Sequence, residues 1–523
     1  MNTLDTDVLV IGGGSTGAGV AWDSALRGLH VTLVDRQDFA TGTSGRFHGL
    51  LHSGGRYAVK DPGSARECAA ENRILRRVAA DCIEDTGGLF VSTPEDDLEY
   101  ADRFLAAARA AGMEVEEVPV GVALRDEPRL NPRIRRAFRV QDGSIDSWKM
   151  ISALLRGAQA HGATVLLYHK VVRVIRQGNR VEGAVMEDQR TGEEVLVQAG
   201  CVVNAAGAWS GQVAQLAGCE VGVRPGKGVM VAINHRLARA VLNRCHLPSD
   251  GDIIVPVRTV SVIGTTDHPV ADPDDTECSP EEVHQMIEAG ELLVPGFREA
   301  RALRVWSGSR PLLPKTEGPA GAGDREVSRS HTVLDHGPRD GLEGLVTIAG
   351  GKFTTLRLMA EDTVDVVSRK LGKEAKCRTR TEVLPGSESH RFYWIGNRQQ
   401  EAETDPPDDP LICECELVSQ HDLDTVVARR PAWRLDDIRR ALRVGMGPCQ
   451  GGFCSYRAAG IMHAHGSLPA ARADQALTDF LKERWKGIWP VLYGDQLRQM
   501  RFDEWVFHAV LDVEHLPVDG DAR

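Results

Sequence analysis

The sequence predicts an α/β protein. It is expected to hold a Rossmann-like dinucleotide-binding domain, a mixed-sheet second domain and a small helical C-terminal domain. Three observations carry this. A glycine-rich turn, Gly12-Gly13-Gly14-Ser15-Thr16-Gly17, lies between a β-branched run and a helical pattern. Two further strands that end in small residues lie far along the chain, within 199–211 and 342–362. Four cysteines are grouped within 413–454, after a proline- and acid-rich stretch.

The first strand is "DVLVI", Asp7 to Ile11, an apolar run of the kind buried on both faces in parallel sheets. The turn follows, then the helical pattern "TGAGVAWDSALRG", read as amphipathic, and a second strand, "HVTLVD". In this context Gly12 permits the tight turn, Gly14 admits a phosphate to the backbone, and Gly17 lets helix pack on strand. The amides opening the helix would hold a pyrophosphate. Asp35 ends the second strand, where a carboxylate accepts from ribose hydroxyls.

NAD and FAD both use this arrangement. The stretch from Arg36 to Ala58 is too polar and glycine-rich for a simple helix and reads as a loop laid along an extended cofactor. Thr41, Thr43 and Ser44 would reach phosphates, and Arg46 and His48 of the same loop are assigned to the cofactor. The later strands supply a turn at Ala205-Ala206-Gly207 and a helix start near Thr354, after Gly350-Gly351. That helix start offers a second anion-holding dipole.

Between these pieces, "GVMVAINH", "DIIVPV" and "VSVIGTTD" alternate like antiparallel strands covering the cofactor. Ser279 and Glu282 form a capping box for a helix. The division expected is residues 1–90, 150–220 and 335–378 for the cofactor domain, and 91–149 and 221–334 for the substrate domain. A linker (379–410), a cysteine domain (411–466) and a C-terminal extension (467–523) follow. "QQEAETDPPDDP", residues 399–410, reads as extended chain unable to pack a core.

A formal charge of −12 argues against nucleic acid as a partner. No segment approaches the roughly 18 consecutive apolar residues of a membrane span, and the N-terminus lacks a charged leader. Residence in the cytosol is expected, where eleven cysteines are not a disulfide framework. Cys68, Cys82, Cys201, Cys219, Cys245, Cys278 and Cys377 are scattered and read as small hydrophobes. Cys413, Cys415, Cys449 and Cys454 form a C-x-C…C-x4-C set. Two helical patterns lie between the pairs, one capped by Ser419 and one from about Asp436 to Gly445. Both pairs then converge, and four thiolates bind either structural zinc or an iron–sulfur cluster.

"GGGSTGAG", "LVDRQDFATGTSGRFHGLLHSGGRYA", "VVNAAGAW", "SGSRPL" and "AGGKFTTLRLMAED" together resemble the flavin-dependent glycerol-3-phosphate dehydrogenases of the D-amino-acid-oxidase-like superfamily. "LICECE", "RVGMGPCQGGFC" and "FLKERWKG" narrow the resemblance to catalytic subunits of the bacterial anaerobic, multi-subunit type, and it covers nearly the whole chain. The cysteine segment is similar to the small [2Fe-2S] domain typified by bacterioferritin-associated ferredoxin.

The resemblance implies FAD, a [2Fe-2S] cluster on the four cysteines, glycerol 3-phosphate as substrate, and hydride transfer to the flavin. It assigns Arg56, Tyr57, Arg310 and Lys352 to the substrate, Gly351 and Thr354 to the cofactor, and His48 or His52 to the general base. "GKGVM" departs from single-subunit relatives by placing Met230 where they carry a histidine. The resemblance also implies partner subunits carrying flavin and iron–sulfur groups, quinone reached through them, and a peripheral place on the cytoplasmic face of the inner membrane. Two alternatives stay open: a related flavin enzyme for an amino or hydroxy acid, and a zinc-organised scaffold without catalysis.

Overall fold

The computed structural model describes residues 2–314, 329–404, 409–429 and 434–515. Among these residues two large sheets form the body. The first has eight strands. Its parallel centre runs Leu345–Gly350, Glu194–Asn204, Asn2–Ile11, Val31–Val34, Thr164–Leu166. His169–Gln177, Arg180–Asp188 and His331–Asp335 add antiparallel edges. Ile11 pairs with both Asn204 and Val34, and Asn204 pairs with Thr347. The chain reversals after Ile11, Val34, Asn204 and Gly350 therefore gather at one end of the sheet, the carboxyl end where open α/β sheets bind ligands.

The strand from Val8 to Ile11 is buried throughout, which is why it carries no polar alternation. The helix Ser15–Leu26 differs from the amphipathic reading. It lies between Ser147–Ala160 and Leu356–Leu371, so it is buried nearly all round, Asp23 and Ser24 included. Asp23 is tolerated there because Arg27 reaches it at 2.7 Å and bridges on to Asp365 at 2.6 Å.

The second sheet has nine strands, built around Arg224–Ile233, Val260–Gly264 and Ile253–Val257, all antiparallel, with Ala302–Leu312 along the other side of Arg224–Ile233. Helix Pro280–Leu293, with the Ser279–Glu282 capping box, packs on it.

The expected boundaries shift at four places. Gly88–Ser92, which the expected boundary after residue 90 divides, pairs as a whole with Val241–Arg244 and Arg136–Val140 in the second sheet. His331–Asp335, expected in the substrate segment to residue 334, pairs with Leu345–Gly350 in the first. In both cases a strand follows its hydrogen-bonding neighbour rather than its neighbour in sequence.

The stretch 379–410 is not a free linker. Leu384 is buried in the main core, the Tyr393 amide donates to the Ile83 carbonyl, and Ile395–Thr404 is helical; residues 405–408 lie outside the described residues. The cysteine domain continues past residue 466, because helix Ala470–Ile488 places Leu477 and Phe480 in that domain's core. The same helix reaches the second sheet at its far end, where Gly487 lies against the Val305 carbonyl.

Candidate active site and cysteine centre

The glycine turn can be tested atom by atom. Gly12 has φ +118°, and a side chain there would stand 2.6 Å from the Ala205 carbonyl oxygen. A Cβ on Gly17 would lie 1.8 Å from the Gly12 carbonyl oxygen, so only glycine lets the helix start this close to the strand. A Cβ on Gly14 would face the Ser44 hydroxyl at 3.2 Å. The Ser15 amide donates to that hydroxyl at 3.0 Å, which pins the following loop to the helix start. Asp35 accepts from the Gly13 amide at 2.7 Å and from the Gln37 amide at 2.9 Å. Burial pushes its carboxyl up to about 6, against those two donors.

One cavity of about 1010 Å³ runs along this turn. It is lined by Gly12, Gly14, Asp35, Thr43, Ser44, Arg46, Ala206, Gly207 and Gly351, and equally by His48, His52, Arg56, Tyr57, Arg310 and Lys352. Of the residues singled out from sequence, Gly17 and Thr354 stand behind the lining. Gly17 packs on Gly12, and the buried Thr354 hydroxyl accepts from the His52 amide at 3.1 Å. A glycine-walled cradle at a helix start, a strand-end carboxylate and a long polar loop fit a dinucleotide such as FAD.

The cations are held in place by carboxylates that the sequence motifs did not reveal. Arg310 donates to Asp267 at 2.6 Å, to the Thr266 carbonyl at 2.8 Å and to the Thr265 hydroxyl. Arg56 pairs with Asp252 at 3.0 Å, which His246 also contacts at 2.8 Å. Lys352 lies 3.4 Å from Glu67, donates to the Arg329 carbonyl at 2.8 Å, and stands over the Tyr57 ring at 5.3 Å. Arg329 also lines the cavity, 3.6 Å from Asp267. None of the sequence motifs includes it, and tertiary structure brings it to the site. Asp267 had a weak signal, a carboxylate at the end of the strand-like "VIGTTD". Burial, then Arg329, lowers Arg310 to about 10.

The two histidines differ. The Leu50 amide donates to His48 Nδ1 at 3.1 Å, so the neutral ring carries its proton on Nε2 and presents a donor. Among the described residues no hydrogen bond reaches the His52 ring, which lies 5.4 Å from the Tyr57 ring. Burial, then Arg56 and Arg310, lowers His48 to about 3. Burial, then His48, Arg56, Lys352 and Arg329, holds His52 well below the usual histidine range. Both rings are neutral at pH 7, the state a base requires. Met230 is buried on Arg224–Ile233 and lines no part of this cavity.

Cys413 ends the strand Leu411–Cys413, Cys449 lies in a turn, and Cys454 opens the helix Cys454–Ala464. The thiols meet in a chain, with Cys413 against Cys454, Cys454 against Cys449, and Cys449 against Cys415. Amides of Glu416 and Gly445 point at Cys413, and amides of Gly451 and Gly452 at Cys449. A Cβ on Gly447 would stand 2.7 Å from the Cys415 sulfur, so the turn closes over the sulfurs only with glycine there. A closed set of thiols met by backbone donors fits a thiolate-bound metal centre. The other seven cysteines lie apart; Cys82, Cys201, Cys219, Cys245 and Cys278 sit in apolar clusters.

The family model for FAD dependent oxidoreductases (DAO) matches residues 7–365. The chain is 42% identical to one of the subunits of the anaerobic glycerol-3-phosphate dehydrogenase of Escherichia coli K12, over 98% of this chain and 99% of the relative. It is 40% identical to the corresponding protein of Haloferax volcanii, over 98% of this chain and 92% of the relative. Among solved structures, the glycerol-3-phosphate dehydrogenase from Bacillus halodurans, complexed with FAD, superposes with a TM-score of 0.58 at 23% identity, covering 98% of this chain and 89% of that one. Glycine oxidase from Bacillus cereus superposes with 0.55 at 22% identity, over 72% of this chain and 100% of that one. The chain belongs to the FAD-dependent oxidoreductase family and, within it, to these subunits of the anaerobic glycerol-3-phosphate dehydrogenases.

Proposed function

We propose that the chain oxidises sn-glycerol 3-phosphate to dihydroxyacetone phosphate. Its electrons leave through a [2Fe-2S] cluster on Cys413, Cys415, Cys449 and Cys454 to partner subunits and quinone. The observation that carries the substrate reading is the convergence of Arg56, Arg310, Arg329 and Lys352 on one part of the dinucleotide cavity. A phosphate monoester carries about two negative charges at neutral pH, and planar guanidiniums bind two of its oxygens at once. Asp267, Asp252 and Glu67 hold the cations in position before substrate arrives.

FAD, when bound, supplies the acceptor for the hydride leaving C2. His52, neutral and with no hydrogen bond to its ring among the described residues, takes the proton of the C2 hydroxyl. His48 donates from Nε2 and orients what lies against it. The substrate thus loses a hydride and a proton, and the carbonyl forms at C2. Gly12, Gly14 and the hydroxyls of Thr43 and Ser44 would hold the dinucleotide's phosphates, and Asp35 its ribose.

The similarity of the cysteine segment to small [2Fe-2S] domains, with four thiols held together and met by backbone amides, supports an iron–sulfur reading. Such a centre supplies a one-electron exit for a two-electron acceptor. No described helix is long and apolar enough to cross a membrane, so contact with quinone is assigned to partners, with the chain peripheral on the cytoplasmic face.

The test is anaerobic and visible. Flavin absorbance of the purified protein should bleach on adding glycerol 3-phosphate and stay unchanged with glycerol, glycine or lactate. Bleaching by an amino or hydroxy acid instead would overturn the substrate assignment.

A further inference from the structure

Cys219, His336 and Asp340 line no part of the dinucleotide cavity, yet one donor atom from each lies within 4.8 Å of the other two. They come from two segments of the chain. His336 and Asp340 stand four apart on the short helix His336–Asp340, so their side chains share one face. Cys219 follows the helix Ser210–Leu216. Gly218 turns the chain there at φ +75°, and the Cys219 amide donates to the Ala214 carbonyl at 3.1 Å.

The histidine ring is oriented from behind. Its Nε2 meets the Thr347 hydroxyl at 2.9 Å, and that hydroxyl accepts from the Asn204 side chain at 3.3 Å. Asn204 is fixed in turn by the Ser210 carbonyl at 2.8 Å and the Ala206 amide at 3.3 Å. Nδ1 faces Asp340. A hydroxyl accepts as well as donates, so the neutral ring can carry its proton on Nε2 and leave the Nδ1 lone pair for a metal. Partners of this kind fix the tautomer and the ring orientation of metal-ligating histidines. Cys219 and His336 are buried, whereas Asp340 reaches solvent and gives an entry path. Burial raises the Cys219 thiol, so it stays protonated until a cation arrives. Arg339 also reaches Asp340 Oδ2, at 2.9 Å, and has to share or yield that oxygen.

A thiolate, a neutral imidazole and a carboxylate together carry two negative charges, which a divalent cation balances. Sulfur and nitrogen donors favour zinc over magnesium or calcium, which take oxygen ligands. We propose that Cys219, His336 and Asp340 form a zinc site on the dinucleotide-binding sheet, with water as the fourth ligand. Binding forms bonds from zinc to the Cys219 sulfur, to His336 Nδ1 and to an Asp340 oxygen. The thiol proton goes to solvent, and the ring proton that bridged Nδ1 and Asp340 is carried on Nε2 instead. The ion ties the segment that follows the cofactor-lining turn at Ala206-Gly207 to the helix that precedes Leu345–Gly350.

Equilibrium dialysis of zinc against the full-length, FAD-loaded protein, purified anaerobically, tests the site. Iron and FAD are measured before and after. The wild-type chain should take up one zinc more than Cys219→Ser or Asp340→Asn, with iron and FAD unchanged. Its thermal transition should rise with zinc while theirs do not. A large excess of magnesium should leave the zinc in place. His336→Gln is a third variant, and FAD retention checks the folding of each. Equal zinc uptake by the wild type and the folded variants, displacement by magnesium, or zinc gained only as iron is lost would overturn the proposal. So would an Asp340→Asn chain whose thermal transition falls while its zinc uptake stays wild-type, because the His336–Asp340 contact would then only brace the helix.

Discussion

At the scale of single residues, Arg310 and His52 carry the most testable chemistry. Arg310 is fixed by Asp267 and the Thr266 carbonyl, so its fork is preset rather than recruited. Truncating one partner of a buried charge pair costs about 2–5 kcal/mol. Arg310→Ala should therefore lower kcat/KM for glycerol 3-phosphate about thirtyfold or more, while leaving flavin content intact. Flavin loss in parallel would instead show a folding defect. For His52 the sign of the pH effect follows from its depressed value. Its folded value lies well below the ordinary 6.5, so the ring stays a neutral base as pH falls through that range. The rate of flavin reduction at saturating substrate should show no inflection near 6.5, and His52→Gln should lower it roughly 10²–10⁴-fold. Saturation matters because the substrate phosphate itself titrates near 6. His48→Gln should act on flavin spectrum and binding more than on this rate. An inflection near 6.5 that His52→Gln removes would refute the depressed base. Stability follows the same linkage. Between the folded and unfolded values the unfolded chain takes up protons at His48 and His52 that the native chain does not, so stability is complete above about 6.5 and declines below it.

At the scale of elements, what could be read from sequence was whatever local chemistry dictates. The turn Gly12–Gly17 was legible because Gly12 and Gly17, at its two ends, each answer a backbone contact that leaves no room for a side chain. The Ser279–Glu282 and Ser419 caps were legible because a cap is a pattern within four consecutive residues. The carboxylates behind Arg56, Arg310 and Lys352 were not, since each pair joins segments tens to hundreds of residues apart. The helical state of Ile395–Thr404 was also missed, because a polar composition excludes a core position but not a helix on the surface. The cysteine domain is an element of its own, with a separate apolar core around Leu423, Ile438 and Phe480. Cys449→Ser should accordingly remove iron but leave FAD, and substrate should still bleach the flavin once. Turnover with a small dye should persist, while turnover with native membranes should fail. Zinc in place of iron in anaerobically purified protein, or full membrane-linked turnover in the variant, would refute the relay.

At the scale of the whole molecule, the electron exit proposed above would require the cysteine domain to sit firmly against the body, and buried ion pairs join the two. Arg258, on the turn between Ile253–Val257 and Val260–Gly264, pairs with Glu416 of the cysteine domain and with Asp146 of the body at 3.0 Å. Arg443 reaches the same Glu416 at 3.1 Å. Arg440 meets Asp38 at 2.9 Å, and the Tyr168 hydroxyl donates to Asp437. Glu416 and Asp38 are almost wholly buried, so removing one partner leaves charge without solvent, at a cost of about 3–5 kcal/mol. Arg258→Ala should therefore loosen the docking of the small domain without touching the substrate pocket, which Arg258 does not line. Limited proteolysis should cut faster in the segment joining the body to the cysteine domain, and the thermal transition should fall or split in two. Flavin reduction by substrate should keep its wild-type rate, while membrane-linked turnover drops. An unchanged digestion pattern with an unchanged transition would show that these ion pairs do not fix the two parts together. A slowed flavin reduction would show instead that the interface reaches into the catalytic cavity, through the loop at Phe47 and His48 that lines it.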